Sequence, residues 1–155
     1  MRRRTYLGHA FVVGAVGAAG CLGSDHEAIN EFGYETLTRD GVGVPLAPVD
    51  DVIEWFDDDN LVFIDTRSRG EFEQVRIKGA EWSPAPDGTD DGADPIVEHG
   101  SDTRFVTYCV CPHTLATSRG AQAIKDGYRD VYALDEGLQL WVDREYPIEG
   151  NQVDE

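Results

Sequence analysis

A chain of 155 residues, 41% hydrophobic and 10% aromatic, can build one globular core and hardly two. Its 30 acidic residues against 13 basic ones give a net charge of −17, and that field excludes nucleic acid and anionic headgroups as partners of the folded surface.

The first 20 residues read as a leader: Arg2, Arg3 and Arg4, an apolar run too short to span a bilayer, then small residues up to Cys21. Arg3-Arg4-Thr5-Tyr6-Leu7 resembles a twin-arginine export signal, and Ala18-Ala19-Gly20-Cys21 resembles a lipobox, whose cysteine becomes the lipidated first residue. The expectation is an exported protein held by lipid on Cys21 at the extracytoplasmic face of the membrane; the alternative is a hydrophobic N-terminal helix that is never cleaved. The leader holds no acid, so the remainder is more acidic still. Only two basic residues are lysines, Lys78 and Lys125, and acids crowd residues 57–59 and 87–94. This composition resembles that of halophilic archaeal proteins, in which salt screens the self-repulsion.

Residues 21–33 are read as a polar tether, 34–150 as the domain and 151–155 as an acidic tail. Within the domain, residues 34–38 and 42–46, joined through Asp40-Gly41, predict a hairpin or an edge pair of strands. Pro48 followed by Val49, Val52, Ile53 and Phe56 has the start residue and spacing of a helix. Leu61-Val62-Phe63-Ile64 is a continuous apolar strand ending at Asp65. Residues 70–75 predict a short helical turn and 79–83 another short strand. From Pro84 to Asp102 the chain is rich in Pro, Gly, Asp and Ser, a long acidic loop with one helical turn around Ile96-Val97. A strand over 131–134 and a helix opening at Gly137 complete the pattern. Alternating helices and continuous apolar strands predict an α/β fold, a single domain whose central, mostly parallel sheet is flanked by helices.

The most informative stretch is the apolar run Arg104-Phe105-Val106-Thr107-Tyr108 leading to Cys109, followed by Val110-Cys111-Pro112-His113 and a helical pattern from Thr114-Leu115 to Lys125. Cys109 is thereby placed at a strand end facing a helix start. Unpaired backbone N–H groups and the helix dipole there lower a thiol pKa and hold an anion. In parallel sheets ligands sit at the carboxyl ends of strands, where Asp65 also falls.

Four segments in register resemble the rhodanese-like sulfurtransferase family: Phe63-Ile64-Asp65-Thr66-Arg67 with Glu71-Phe72; Arg76-Ile77-Lys78-Gly79-Ala80; Val106-Thr107-Tyr108-Cys109; and Asp135-Glu136-Gly137-Leu138-Gln139-Leu140-Trp141 with Tyr146-Pro147-Ile148. They span roughly residues 48 to 150. The resemblance implies transfer of sulfane sulfur through a persulfide on Cys109, from a small sulfur donor to a thiol acceptor, without a metal or cofactor. It also implies an anion cradle made of the backbone N–H groups of Val110, Cys111, His113, Thr114 and Leu115. The loop has neither the glycine nor the arginine common in the family, and Pro112 contributes no N–H, which argues against thiosulfate as the natural donor.

Bland readings stand beside these. Cys109 could be a small buried hydrophobe. Cys111 is either a resolving thiol or loop packing, and His113 either a proton carrier or a surface residue. Asp65 and Arg67 are read as structural, pinning loops by hydrogen bonds and a pair with Glu71. Trp82, Trp141 and Tyr146 are assigned to the core, and Arg119 to the solvent. Two other functions fit the same residues: thiol–disulfide or metal handling by Cys109, Cys111 and His113, and a non-catalytic binding module.

Overall fold

The computed structural model describes residues 28–86, 88–89, 94–110 and 114–153. The leader, Cys21, Cys111, Pro112 and His113 lie outside the described residues. The predicted hairpin is β1 (Thr36–Arg39) and β2 (Val42–Ala47), turning at Asp40-Gly41. The helix predicted from Pro48 is only α1 (Val49–Val52); it then tightens into a 3-10 turn, Ile53–Trp55, before the acidic run 57–59. β3 (Leu61–Asp65) leads to α2 (Arg69–Gln74), whose start is fixed by a capping box. Ser68 Oγ accepts from Glu71 N and Glu71 Oε1 accepts from Ser68 N.

β4 (Arg76–Ile77) and β5 (Glu81–Trp82) are two residues each. Among its described residues the acidic loop holds one 3-10 turn, Pro95–Glu98. β6 (Arg104–Tyr108), α3 (Thr114–Lys125), β7 (Val131–Leu134), α4 (Gly137–Asp143) and β8 (Ile148–Glu149) follow. The sheet order is β1-β2-β7-β6-β3-β5, parallel throughout except for β1. A separate antiparallel ribbon joins β4 to β8. The single α/β domain with a mostly parallel sheet is therefore as expected.

Side-chain alternation divides the core between the two faces of the sheet. Phe105 and Cys109 of the β6 segment, Ile64 of β3 and Val131 and Ala133 of β7 pack with Ala116, Ala123 and Ile124 of α3. Val106, Tyr108, Phe63, Tyr132 and Leu134 fill the other face with Val49 and Val52 of α1 and Leu138 and Trp141 of α4. Of the three aromatics assigned to the core, Trp141 is fully buried, whereas Trp82 and Tyr146 are half-buried and bond through Arg67 O and Asp50 Oδ1.

Both chain ends of the described region lie against the domain. Ile29 N donates to Arg129 O at 2.8 Å, and Phe32 stacks on Tyr34 and Trp55 beneath the Arg104 guanidinium. At the other end Asn151 N and Gln152 N donate to Glu73 O and Gln74 O.

Candidate active site

Cys109 follows the last residue of β6 and is 4% exposed. Strand parity turns its side chain toward the α3 face, while Tyr108 points to the opposite face. The residues beside it in the loop are open to solvent, Val110 at 39% and Leu115, in the first turn of α3, at 42%. A buried sulfur thus sits at the foot of a surface loop.

α4 fixes the strand-side half of that loop. Leu138 N donates to Cys109 O at 2.8 Å and Gln139 N donates to Val110 O at 3.4 Å. Gly137 makes the approach feasible. Its φ is +80°, and a Cβ there would lie 2.9 Å from both Cys109 O and Val110 O. Because a trans peptide places C=O and the next N–H on opposite sides, a Cys109 carbonyl turned toward α4 turns the Val110 N–H away from it. Thr114 and Leu115 open a helix of twelve residues whose first-turn N–H groups have no intrahelical acceptor. Of the residues expected to form an anion cradle, Val110, Thr114 and Leu115 are among the described ones. Cys111 and His113, the two proposed assistants and cradle members, fall outside them.

Asp65 and Arg67 are on the Tyr108 side of the sheet, not beside the Cys109 side chain. Asp65 is fully buried and Arg67 nearly so. Arg67 Nε donates to Asp65 Oδ1 at 2.9 Å and Nη2 to Oδ2 at 2.7 Å, a bidentate fork. Burial works against the Arg67 charge, but hydrogen bonding and attraction to Asp65 outweigh it and raise the arginine pKa. The expected pair with Glu71 is corrected. Arg67 Nη2 reaches the Glu71 and Val75 carbonyls at 3.3 and 2.6 Å, because the Glu71 carboxylate is occupied in the capping box. The arginine thus ties the end of β3 to both ends of α2.

Three neighbours hold the strand end through contacts that the sequence did not indicate. Thr66 N and Oγ1 both donate to Tyr108 O, at 3.1 and 2.8 Å, locking β3 to β6 one residue before Cys109. The Tyr108 hydroxyl accepts from Ile77 N at 3.1 Å, and burial, followed by the Asp65 charge, pushes its pKa well above the usual tyrosine value. Gly137 is the third. Its place at the start of the last helix was legible; the carbonyls it accommodates were not.

Arg119 is a correction. It was assigned to the solvent, but it is 2% exposed in α3. Its Nε donates to Ser83 Oγ at 2.8 Å and its Nη2 to Asp94 Oδ2 at 3.0 Å. Nothing local in the helix signals this. The carboxylate arrives from the acidic loop, 25 residues earlier.

Among the described residues no cluster of His, Cys, Asp and Glu is placed to hold a metal. No helix among them is long and apolar enough to cross a membrane.

No curated protein matches the chain. Several solved structures share its fold. A Bacillus halodurans protein superposes with a TM-score of 0.61 at 19% identity, over 69% of this chain and 77% of its own. The thiosulfate sulfurtransferase of Pseudomonas aeruginosa gives 0.58 at 20% identity, over 69% of this chain and 19% of that one. A Rhodopseudomonas palustris protein of unknown function, described as a possible tyrosine phosphatase, gives 0.56 at 24%, over 68% and 85%. At these identities the likeness establishes the fold. The rhodanese-like domain model matches residues 48–144, from α1 to the end of α4 and across the Cys109 loop, and the chain belongs to that family.

Proposed function

We propose that this rhodanese-like domain is a sulfurtransferase in which Cys109 carries sulfane sulfur as a persulfide. The observation that carries the reading is the position of Cys109, at the carboxyl end of a central parallel strand and ahead of the loop that opens α3, inside the family match. The Cys109 thiolate attacks the outer sulfur of a sulfane donor, for which thiosulfate serves as the test compound. The S–S bond of the donor breaks, sulfite leaves with the bonding electron pair, and the sulfur remains on the enzyme as Cys109 Sγ–S⁻. An acceptor thiolate then attacks the terminal sulfur and regenerates the Cys109 thiolate. The terminal sulfur anion would rest on the N–H groups of Val110, Cys111, His113, Thr114 and Leu115, with the dipole of α3 behind them. Asp65 and Arg67 position the strand end and do not touch the donor.

Intact-mass spectrometry of the full chain in molar salt, after incubation with thiosulfate or mercaptopyruvate, tests this. The expected result is a gain of about 32 mass units, one sulfur, that vanishes in Cys109→Ser and survives in Cys111→Ser. Retention of the gain in Cys109→Ser, or loss of two hydrogens in place of a gain, overturns it, the latter in favour of dithiol chemistry.

The leader pattern supports export and a lipid on Cys21, which would set the domain on the extracytoplasmic face of the membrane, and the acid excess supports a high-salt habitat. Cys21→Ser is expected to move the protein from the membrane fraction to the soluble one. Persistence of the variant at the membrane refutes the anchor.

A further inference from the structure

Arg119 uses only part of a guanidinium that carries five N–H donors. Nε and Nη2 are engaged by Ser83 and Asp94, and Ser83 Oγ also donates to the second oxygen of Asp94. Nη1 is buried and has no partner. Thr89 Oγ1 is likewise buried without a partner. Both residues line the same cavity of about 330 Å3. A buried donor left unsatisfied keeps its full desolvation penalty, and the penalty is larger when the group is charged.

The cavity walls are built rather than incidental. Gly88, at φ +86°, lies so close to Asp94 that a Cβ would fall 2.7 Å from its Oδ1. The backbone entering Thr89 is thereby laid directly on the Asp94 carboxylate that Arg119 binds. Both oxygens of the buried carboxylate, Asp94, are bonded, the Tyr128 hydroxyl spends its proton on Ile96 O, and Asp126 is exposed, one of its oxygens accepting from Gln122. The buried polar atoms of the cavity left without a partner are both able to donate, one on a cationic group and one on a hydroxyl, beside the apolar Ile96 and Val97.

We propose that this cavity is a binding site for a small monovalent anion, a halide or the carboxylate of a small organic acid, held by Arg119 Nη1 and Thr89 Oγ1. The positive charge there is balanced by Asp94, so the ligand is drawn by hydrogen bonds from a charged donor, and the acidity of the whole chain opposes it most at low ionic strength. The proposal is independent of the chemistry at Cys109.

The test is the linewidth of the chlorine NMR signal of chloride in the presence of the full chain, at fixed ionic strength, with formate and acetate as competitors. Wild-type protein, Thr89→Val, Arg119→Lys and Cys109→Ser are compared, with circular dichroism reporting the fold. Saturable broadening that formate or acetate reverses, that falls at least about fivefold in folded Thr89→Val, and that persists in Cys109→Ser supports the site. Competition by formate but not acetate identifies the halide-sized occupant, and competition by both the carboxylate. Broadening that Thr89→Val leaves intact, or no saturable broadening at all, overturns it and leaves water as the occupant. Broadening lost only in Cys109→Ser places the anion in the Cys109 loop and also overturns it. Sulfur gain measured on the same samples reads the persulfide proposal separately, and Thr89→Val is expected to leave that gain unchanged.

Discussion

Replacing Gly137 by alanine asks how tightly α4 clamps the loop that carries Cys109. A left-handed backbone costs a non-glycine residue about 1–2 kcal/mol. The added Cβ would also meet Cys109 O and Val110 O at 2.9 Å, both backbone atoms that cannot swing aside. Separating them breaks the Leu138 N–Cys109 O bond, a further 0.5–1.5 kcal/mol, roughly. Gly79 provides the control, because its φ is +86° yet nothing lies within 4 Å of its hypothetical Cβ. Gly79→Ala should therefore lose only the backbone cost, and Gly137→Ala about 3 kcal/mol in all, roughly 6–12 °C in midpoint for a domain of this size. Urea and thermal unfolding measure both. Sulfur loading of Cys109 should slow in Gly137→Ala under conditions where both variants are folded. Equal destabilisation by the two substitutions, with equal loading, would refute the reasoning, because the close approach would then cost nothing.

Two further outcomes concern the opposite face of the sheet. Asp65→Asn leaves the Arg67 guanidinium buried without its fork and should destabilise the domain by about 3–5 kcal/mol in urea unfolding; a loss below about 1 kcal/mol would show that the Glu71 and Val75 carbonyls suffice. Tyr108 holds its proton in the folded state beyond the point, about pH 10, where an unfolded tyrosine ionises. Its contribution is fully present below that pH and is lost as pH rises toward the folded-state value. Tyr34 and Tyr132, also raised by burial, add in the same direction. Tyr108→Phe should be less stable at neutral pH, where Ile77 N loses its acceptor, and lose stability less steeply above pH 10 than wild type; an unchanged alkaline slope would sink the argument.

The strands were legible because continuous apolar runs reflect burial directly, as at Leu61-Val62-Phe63-Ile64 and Phe105-Val106, whereas which side chain faces which side of the sheet was not. Cys109 at a strand end was legible for the same reason. The β4–β8 ribbon was not, since two residues carry no period and the partners stand more than 70 positions apart. The capping box at Ser68 was readable from its spacing, and missing it sent the Glu71 carboxylate to the wrong partner. Arg119 illustrates a different limit. A single arginine in a helix reads as solvent-facing, and only the return of the acidic loop, carrying Asp94 and Ser83 against α3, makes burial tolerable.

The stacking of Phe32 and the bond from Ile29 to Arg129 set where the polypeptide enters the domain. Arg129 lies just ahead of β7, level with the start of β6, whereas Cys109 lies just past the end of β6. The entry point and the sulfur are thus separated by the length of a strand, about 20 Å at the usual rise per residue. Were the chain held at a surface by the segment ahead of residue 28, as proposed above, Cys109 would lie at the end of the domain farther from that attachment.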